Sequence, residues 1–311
     1  MRGLVVINRQ QTNLQVLKGG SCLMTKYALT GVTGHFGGVA VRVLAQLVAP
    51  TDIIAIARNV EKAKAIVPAG VEVRAGDYEN PATLRQALTG VDRLLLVSSH
   101  PSPTMTRERQ QLNVVIAAYD VGVKFIAYTS FPHTESAVRP AKIQFVADHR
   151  ATEDAILATG MAHSFLRNNW YLENEARLIK GALAGDSYIY AAGEGRIGWA
   201  LEREYAEAAA WVLAMEEPRE VYELTGQPRT YQDLAAVIPE DFEIDSVDVD
   251  TYQQTLQESG MLPAVATQLA LFQQLMRDGD LSEENDDFQA ALGHPLTDFG
   301  AAVQEVIASD R

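Results

Sequence analysis

Short apolar runs alternate with amphipathic stretches through the first half of the chain. The runs predict strands at 27–30, 53–57, 71–74, 93–98, 125–130 and 162–166. Apolar residues at helical spacing predict the intervening helices, at 38–48, 61–66, 81–88, 107–119 and 143–158. Because strands that alternate with helices pair in parallel through right-handed crossovers, the pattern predicts an α/β fold with a Rossmann-type doubly wound parallel sheet.

The alternation loosens after Tyr171, where loops rich in glycine and proline separate mainly helical segments. Helical periodicity returns at 202–215 and 262–277, and the apolar run at 221–225 predicts a late strand that rejoins the sheet. The acidic stretch 283–287 is interpreted as a solvated loop. We therefore expect a smaller, mainly helical C-terminal substrate lobe.

The same periodicity sets the expected domain boundaries. Residues 1–24 precede the first periodic segment and are predicted to be an N-terminal extension that is disordered or not native. Residues 25–175 are predicted to form a Rossmann domain that binds a dinucleotide cofactor. Residues 176–311 are predicted to form the smaller substrate-binding lobe, with some segments returning to the sheet.

Composition narrows the classes of partner. The chain of 311 residues carries 26 Lys and Arg against 40 Asp and Glu, and this net charge of −14 opposes general binding to nucleic acid or anionic lipid. No apolar run approaches the roughly 20 residues that span a bilayer, so no membrane insertion is expected. The single cysteine, Cys22, excludes an intramolecular disulfide and fits a cytoplasmic protein.

A glycine-rich turn joins the first predicted strand to the first helix. It reads GVTGHFGG at 31–38. Gly31 permits a tight turn, Gly34 lets a pyrophosphate approach the backbone, and Gly37 allows close helix packing, while the helix N-terminus offers free N–H donors. The alternative is a plain strand-to-helix connection. The position in the first βαβ unit favours a dinucleotide site.

The residue after the second strand bears on the choice of cofactor. NAD-specific proteins usually place a carboxylate there for the ribose 2′-hydroxyl, whereas this chain has Arg58, followed a helical turn later by Lys62. A guanidinium matches a 2′-phosphate, so the sequence favours NADP(H) over the alternative of a solvated strand-end charge.

Polar residues follow the third and fourth strands at the edge where such sheets bind ligands. Asp77 is placed to contact the adenine, with an Asx-turn as the alternative. Ser98 and Ser99 are placed to line the dinucleotide.

The tyrosine and lysine that short-chain dehydrogenases carry four residues apart are missing. No tyrosine of this chain has a lysine four positions later, and in the expected helix the pair is Phe145 and His149. His149 is a candidate for the active site, oriented by Glu153, with a solvated helical histidine as the alternative. The other histidines show no metal-ligand spacing, so no metal site is expected.

Amides and aromatics crowd together after the sixth strand, in the segment RNNWYLEN at 167–174. Trp170 and Tyr171 suit a pocket for nicotinamide or an aromatic substrate, although packing between the lobes would use the same residues.

Several segments, in the same order along the chain, resemble the NmrA-like atypical short-chain dehydrogenases. They read LTGVTG at 29–34, ARN at 57–59, GVKFIAYTS at 122–130, LRNNWY at 166–171 and GHP at 293–295. The similarity extends over about residues 25–305. It implies an NADPH-binding domain, a C-terminal lobe that forms the substrate cleft, and reduction of quinones in the cytoplasm.

The resemblance also implies roles for individual residues. Cofactor contacts are implied for Gly31, Thr33, Gly34, His35, Phe36, Gly37, Arg58, Ser98, Ser99, His100, Arg107, Asn169, Trp170, Tyr171, Leu172, Glu173 and Asn174. Asn168 and Phe131 are implied to approach the substrate. This chain departs from the family pattern at Asn169, where the family has glycine, and at Phe131-Pro132, where it is more aliphatic, so we expect a quinone pocket of different shape.

A quinone also accounts for the missing acid, since it accepts hydride more readily than a ketone and its reduced oxyanion is a weaker base. The sequence thus predicts an NADPH-dependent quinone oxidoreductase that uses direct hydride transfer, with proximity supplying much of the rate and solvent the proton. Two alternatives remain: a non-catalytic NADP(H)-sensing regulatory protein, and a reductase of another conjugated carbonyl or imine. The sequence leaves a homodimer open.

Overall fold

A seven-stranded parallel sheet lies at the centre of the computed structural model, which describes residues 24–135 and 143–309. The strands are β1 (Tyr27–Leu29), β2 (Ile53–Ala57), β3 (Glu72–Ala75), β4 (Arg93–Leu96), β5 (Phe125–Ser130), β6 (Ala162–Asn168), β7 (Trp170–Tyr171), β8 (Tyr188–Tyr190), β9 (Trp199–Ala200), β10 (Val221–Leu224) and β11 (Ile244–Ser246). The large sheet has the order β10-β6-β5-β4-β1-β2-β3. All of its neighbouring strands are parallel, which confirms the predicted doubly wound fold.

Helices cover both faces of this sheet. They are α1 (His35–Leu47), α2 (Val60–Lys64), α3 (Pro81–Leu88), α4 (Arg107–Asp120), α5 (Gln144–Thr159), α6 (Ala176–Leu183), α7 (Glu202–Ala214), α8 (Tyr231–Ala235), α9 (Val249–Glu258), α10 (Pro263–Arg277), α11 (Asp287–Leu292) and α12 (Phe299–Ala308). Local signals set several ends: the Asn80 and Thr106 side chains cap α3 and α4, and Gly160, with φ of 71°, ends α5. Within the described residues, no helix is long and apolar enough to cross a membrane.

The chain returns to the sheet after the sixth strand, as the apolar run at 221–225 predicted. Strand β10 pairs in parallel with β6, from Val221 opposite Phe165 to Leu224 opposite Asn168. Helix α7 packs beside α1 in the same apolar core, which α11 completes through Phe288. Because β10 occupies the outer side of β6, the carboxyl end of β6 lies inside the sheet rather than at an edge.

A second apolar core joins the C-terminal helices to short strands. Aromatic side chains dominate this core, among them Trp170, Tyr188, Trp199, Tyr231 and Phe272. The small sheets β7–β9 and β8–β11 within this region were not predicted, because strands of two or three residues are too short to show periodicity.

The first turn of α1 approaches the preceding loop so closely that only glycine fits at position 37. A Cβ atom on Gly37 would lie 2.6 Å from the carbonyl carbon of Gly31 and 2.8 Å from the nitrogen of Val32. At the neighbouring Gly38, a Cβ would meet ordinary contacts, 3.4 Å from the carbonyl oxygen of Val32. The two glycines therefore have different reasons to be glycine.

We expect Gly37→Ala to lower the free energy of unfolding by about 1–3 kcal/mol, because backbone must move to admit the methyl group. Gly38→Ala is the matched control; it should be neutral or stabilising by up to about 1 kcal/mol, since alanine favours helix. Urea denaturation followed by circular dichroism measures both. Equal effects of the two substitutions would show that the close approach at Gly37 is unimportant for stability.

Candidate functional site

A cleft of about 920 Å³ opens at the carboxyl ends of the parallel strands. The turn after β1 forms its centre, the loops after β2 and β3 form one end, and the loops after β4, β5 and β6 form the other. Parallel sheets bind ligands at this edge, because loops there diverge and helix N-termini point toward it. Side chains of α5 and α10 close the cleft over β5 and β6.

The glycine-rich turn presents backbone donors to the middle of the cleft. Gly31 adopts the left-handed conformation, with φ of 67°, and its carbonyl accepts a hydrogen bond of 2.9 Å from the nitrogen of Gly34. Helix α1 then starts at His35, and its N-cap residue Gly34 has no side chain to satisfy the first-turn N–H groups. The N–H groups of this first turn and the positive end of the helix dipole suit a phosphate.

Arg58 lies at one end of the cleft, directly after β2. Its side chain is exposed, and among the described residues no carboxylate forms an ion pair with it. Asp77 lines the same end and also forms the alternative Asx-turn, its carboxylate accepting a hydrogen bond of 3.0 Å from the nitrogen of Glu79. A free guanidinium at this place has the chemistry to hold a phosphate monoester.

The other end of the cleft is aromatic. The Phe145 ring lies edge-on to Phe131, Phe272 and His149, at centroid distances of 5.0, 5.3 and 4.8 Å. Trp170 packs on Phe272 at 4.7 Å. These residues line one wall, so this end, which we call the aromatic chamber, suits a flat apolar ring.

His149 faces the aromatic chamber as a neutral ring. Burial, together with the nearby charge of Arg107, lowers the pKa of His149 to about 3. Its Nδ1 lies 2.7 Å from the Tyr128 hydroxyl, and burial raises the pKa of Tyr128, so that phenol keeps its proton. An imidazole with this pKa cannot hold a proton for release near neutral pH.

The expectation that Glu153 orients His149 is wrong. The Glu153 carboxylate instead accepts from Arg167 at 3.1 and 2.9 Å and from the hydroxyls of Ser130 and Thr134 at 2.6 and 2.8 Å. Arg167 also pairs with Glu223 of β10 at 2.8 Å. A buried carboxylate is stable only when it is paired with a cation, and Arg167 provides that pairing. The hydrogen bonds of these residues join α5, β5, β6 and β10 beneath the cleft.

Arg107 is a buried cation in the wall of the aromatic chamber. Its Nε donates to the carbonyl of Ser99 at 2.6 Å, and its guanidinium carbon lies 4.5 Å from the Phe145 ring centroid. Burial lowers the pKa of Arg107 below its ordinary value, and burial together with the Arg107 charge lowers the pKa of His100. Within residues 24–135 and 143–309, no carboxylate forms an ion pair with Arg107.

Polar atoms without partners lie at the end of β6. Asn168 donates to the Tyr171 hydroxyl at 2.9 Å, and Asn169 donates to Thr225 and to the Leu281 carbonyl. Among the described residues, the Oδ1 atoms of both asparagines are buried and accept no hydrogen bond. Since unsatisfied buried acceptors are costly, these oxygens fit a ligand that brings N–H donors.

Nearly all the residues predicted for the site meet in this cleft. Those that line it are Gly31, Thr33, Gly34, His35, Phe36, Gly37, Arg58, Asp77, Ser98, Ser99, His100, Arg107, Phe131, His149, Asn168, Asn169, Trp170, Tyr171 and Asn174. Leu172 and Glu173 do not line it. Leu172 is fully buried in the C-terminal core, and the Glu173 carboxylate accepts from the nitrogen of Glu202 at 2.9 Å, where it caps α7.

Several lining residues were not predicted. Helix α10 contributes Gln268, Leu269 and Phe272, and the start of α7 contributes Glu202. Their sequence signal is that of any amphipathic helix, so only the folded chain shows that they reach the cleft. Tyr78 also lines the cleft, and its hydroxyl donates to the Val97 carbonyl at 2.7 Å, which joins the loops after β3 and β4.

Residues 33–211 match the NAD(P)H-binding family, and the chain belongs to that family. This confirms the predicted dinucleotide cofactor. Quinone oxidoreductase 2 of Escherichia coli (strain K12) is 35% identical over 289 residues, which are 90% of this chain and 98% of that protein. The relatives also confirm the family resemblance drawn from the sequence.

Solved structures agree with this assignment. An NADPH-dependent quinone oxidoreductase of Escherichia coli, crystallised with NADPH, matches with a TM-score of 0.84 at 34% identity, over 90% of this chain and 99% of that one. Triphenylmethane reductase of Citrobacter sp., crystallised with NADP(H), matches with a TM-score of 0.82 at 34% identity, over 90% of this chain and 100% of that one.

Glu202 generates a prediction about pH. Burial and repulsion from Glu173 raise the pKa of Glu202 to about 7, although its carboxylate accepts from the Phe36 backbone in the first turn of α1. A raised pKa means that the carboxyl is neutral below about pH 7 and anionic above it. The Glu202 carboxylate faces the first turn of α1, where the pyrophosphate would bind, so its anionic form would repel the pyrophosphate.

We therefore expect the dinucleotide affinity to fall about three- to tenfold between pH 6 and pH 8.5, and Glu202→Gln to remove most of that change. Calorimetry with ADP-ribose measures it without interference from a 2′-phosphate, which itself titrates. Glu207→Gln is the matched control, since Glu207 lies on the same helix and pairs with His294. An unchanged pH dependence in Glu202→Gln would contradict the prediction.

Proposed function

We propose that this chain is an NADPH-dependent quinone oxidoreductase. The observation that carries the proposal is a single cleft that joins a phosphate-binding turn to an aromatic chamber in which the described residues include no proton-donating acid. The 35% identity to quinone oxidoreductase 2, over nearly the whole of that protein, supports the same acceptor class.

The residues of the cleft fit NADPH along its length. The N–H groups at the start of α1 would hold the pyrophosphate, and the free Arg58 guanidinium would hold the 2′-phosphate. The unsatisfied Oδ1 atom of Asn169 would accept from the carboxamide, and Asn168 would lie toward the substrate. The reduced nicotinamide supplies a hydride when it is bound.

The aromatic chamber would orient the acceptor and exclude water. Phe131, Phe145, Trp170 and Phe272 form flat walls around a space that a quinone ring can enter. Such walls hold a planar acceptor against the cofactor by proximity, which contributes much of the rate when the acceptor is already reactive. Phe131 lies where the family is more aliphatic, which favours aromatic stacking here.

No side chain in the chamber acts as a proton donor in this proposal. Phe145 occupies the position of the usual tyrosine and has no proton to give, and His149 is neutral at pH values well above 3. A hydroquinone anion is a weak base, so solvent can protonate it after hydride transfer. This distinguishes the chain from ketone reductases, which need the acid.

The rival proposal is a protein that senses NADP(H) without turnover. Stopped-flow mixing of the purified protein with NADPH and a panel of benzoquinones and naphthoquinones separates the two. Rapid NADPH oxidation that saturates with quinone supports the enzyme. Tight NADPH binding with no acceptor-dependent oxidation would favour the sensor.

The remaining expectations are part of this proposal. A cofactor domain at 25–175, a substrate lobe at 176–311 and a cytoplasmic location stay predictions.

We expect Arg58→Asp to weaken NADPH binding by about 1.5–3 kcal/mol and NADH binding much less, because only NADPH loses a charge-assisted hydrogen bond. Lys64→Asp makes a comparable charge change on α2, where Lys64 pairs with Glu61 and lies outside the cleft lining. Calorimetry at fixed salt compares the two cofactors. Equal losses for NADPH and NADH in Arg58→Asp would contradict the 2′-phosphate assignment.

We expect His149→Ala to slow hydride transfer to a benzoquinone by less than about tenfold, or roughly 1.4 kcal/mol, whereas loss of an essential acid costs 100-fold or more. The rate of hydride transfer should show no titration of His149 between pH 5 and 9, since its pKa lies near 3. Single-turnover NADPH oxidation isolates this step.

His149→Gln, which keeps a polar partner for Tyr128, and Phe145→Leu are the companion variants. Both should retain hydride transfer. A 100-fold loss in both His149 variants, with cofactor affinity preserved, would identify His149 as the proton donor.

A further inference from the structure

We propose that Arg107 stabilises the negative charge that develops on the oxygen of an aromatic acceptor, and that the aromatic chamber therefore binds phenolate-type anions. The inference rests on the proposed function and deepens it by assigning the charge-stabilising group. The family resemblance implied only a cofactor contact for this residue.

The position of Arg107 fits this role. It is the first residue of α4, and only 7% of its surface is exposed. The bond from Nε to the Ser99 carbonyl fixes the side chain, and the guanidinium lies over Phe145, the residue at the place of the usual tyrosine. The positive charge thus stands beside the place where other short-chain enzymes keep their acid.

Among the described residues, the other charged groups that line the cleft do not compete for the role. Arg58, Asp77 and Glu79 follow β2 and β3, on the far side of β1 from the aromatic chamber. Glu202 is acidic and faces the start of α1. His149 and His100 have lowered pKa values and are neutral near pH 7.

The Arg107 charge is also only partly offset. Asp148 attracts the guanidinium electrostatically, but its carboxylate accepts from Gln144 at 2.7 Å and, within the described part of the chain, forms no ion pair with Arg107. Burying a cation without a paired carboxylate costs folding free energy unless an anion or an aromatic ring stabilises the charge. Phe145 supplies the ring, and a ligand oxyanion would supply the anion.

The chemistry of quinone reduction creates such an anion. Hydride transfer breaks a C–H bond of the dihydronicotinamide and forms an O–H bond on one quinone oxygen. The quinone gains two electrons, its ring becomes aromatic, and its second oxygen carries the negative charge. A proton from solvent then completes the hydroquinone. A fixed cation at the second oxygen favours the charged transition state over the neutral quinone.

The test measures the ionisation of a bound phenol, which needs no turnover. 4-Nitrophenol is titrated spectroscopically, free and bound, with the NADP⁺-saturated protein. An opposite charge within about 4–6 Å lowers the pKa of an acid by about one to three units, so the bound phenol should ionise at least tenfold more readily in the wild type. Since the oxidised nicotinamide is cationic in every sample, the comparison between proteins isolates Arg107: Arg107→Gln should raise the pKa of the bound phenol by about one unit or more relative to the wild type, and Arg107→Lys should raise it less.

Arg109→Gln is the matched control, because Arg109 is an exposed arginine on the same helix, outside the cleft lining. It should behave as the wild type. Circular dichroism and the NADPH dissociation constant of each variant separate misfolding or a pure cofactor contact from the proposed role. Arg107→Lys keeps the test informative where Arg107→Gln fails to fold.

An equal bound-phenol pKa in the wild type and Arg107→Gln, or no binding of 4-nitrophenol to the wild type, would overturn the proposal. The outcome is independent of the proposed function. If the protein reduces no quinone but shows the Arg107-dependent shift in the pKa of the phenol, the proposed enzyme activity is wrong and the anion site is supported. If it reduces quinones without that shift, the enzyme activity is supported and the anion site is wrong.

Discussion

The close approach of helix α1 to the turn after β1 is the constraint on which the site depends. Gly31 turns the chain in the left-handed conformation, and Gly37 packs against it with no room for a side chain. This places the first-turn N–H groups of α1 beside the central strands of a seven-stranded sheet. The loops after β2 and β3 lie to one side and those after β4, β5 and β6 to the other, so an elongated ligand can span both.

Burial determines which groups are charged at the aromatic end of the cleft. At the aromatic end it lowers the pKa of both His149 and Arg107. The histidine loses its charge because its ordinary pKa is close to neutral pH, whereas the arginine stays charged because its own is far higher. The same desolvation therefore removes an acid and retains a cation. Beneath them, Arg167 pairs with Glu153, and their further bonds to Ser130 and Glu223 join α5, β5, β6 and β10.

Much of the architecture could be predicted from sequence, since strands β1 to β6 and the helices between them carry clear periodicity. Their ends shifted by a few residues: β4 stops at Leu96, and β6 continues to Asn168. The cleft residues on turns after strands were also predictable, because parallel strands bring their carboxyl ends to one edge. The family resemblance implied a cofactor contact for Leu172, but a 3-10 helix (Leu172–Glu175) begins at this residue, and its side chain packs into the C-terminal core.

The sequence by itself determined the alternating strands and helices of the parallel sheet, the glycine turn and the arginine after β2, because each of these signals lies in residues a few positions apart. Only the tertiary structure decided that Glu153 pairs with Arg167 rather than with His149, that Arg107 lies over Phe145, and that Phe272 of α10 closes the chamber. These contacts join residues distant along the chain. Their energies depend on how completely packing removes water from each group, and a local pattern of residues does not contain that information.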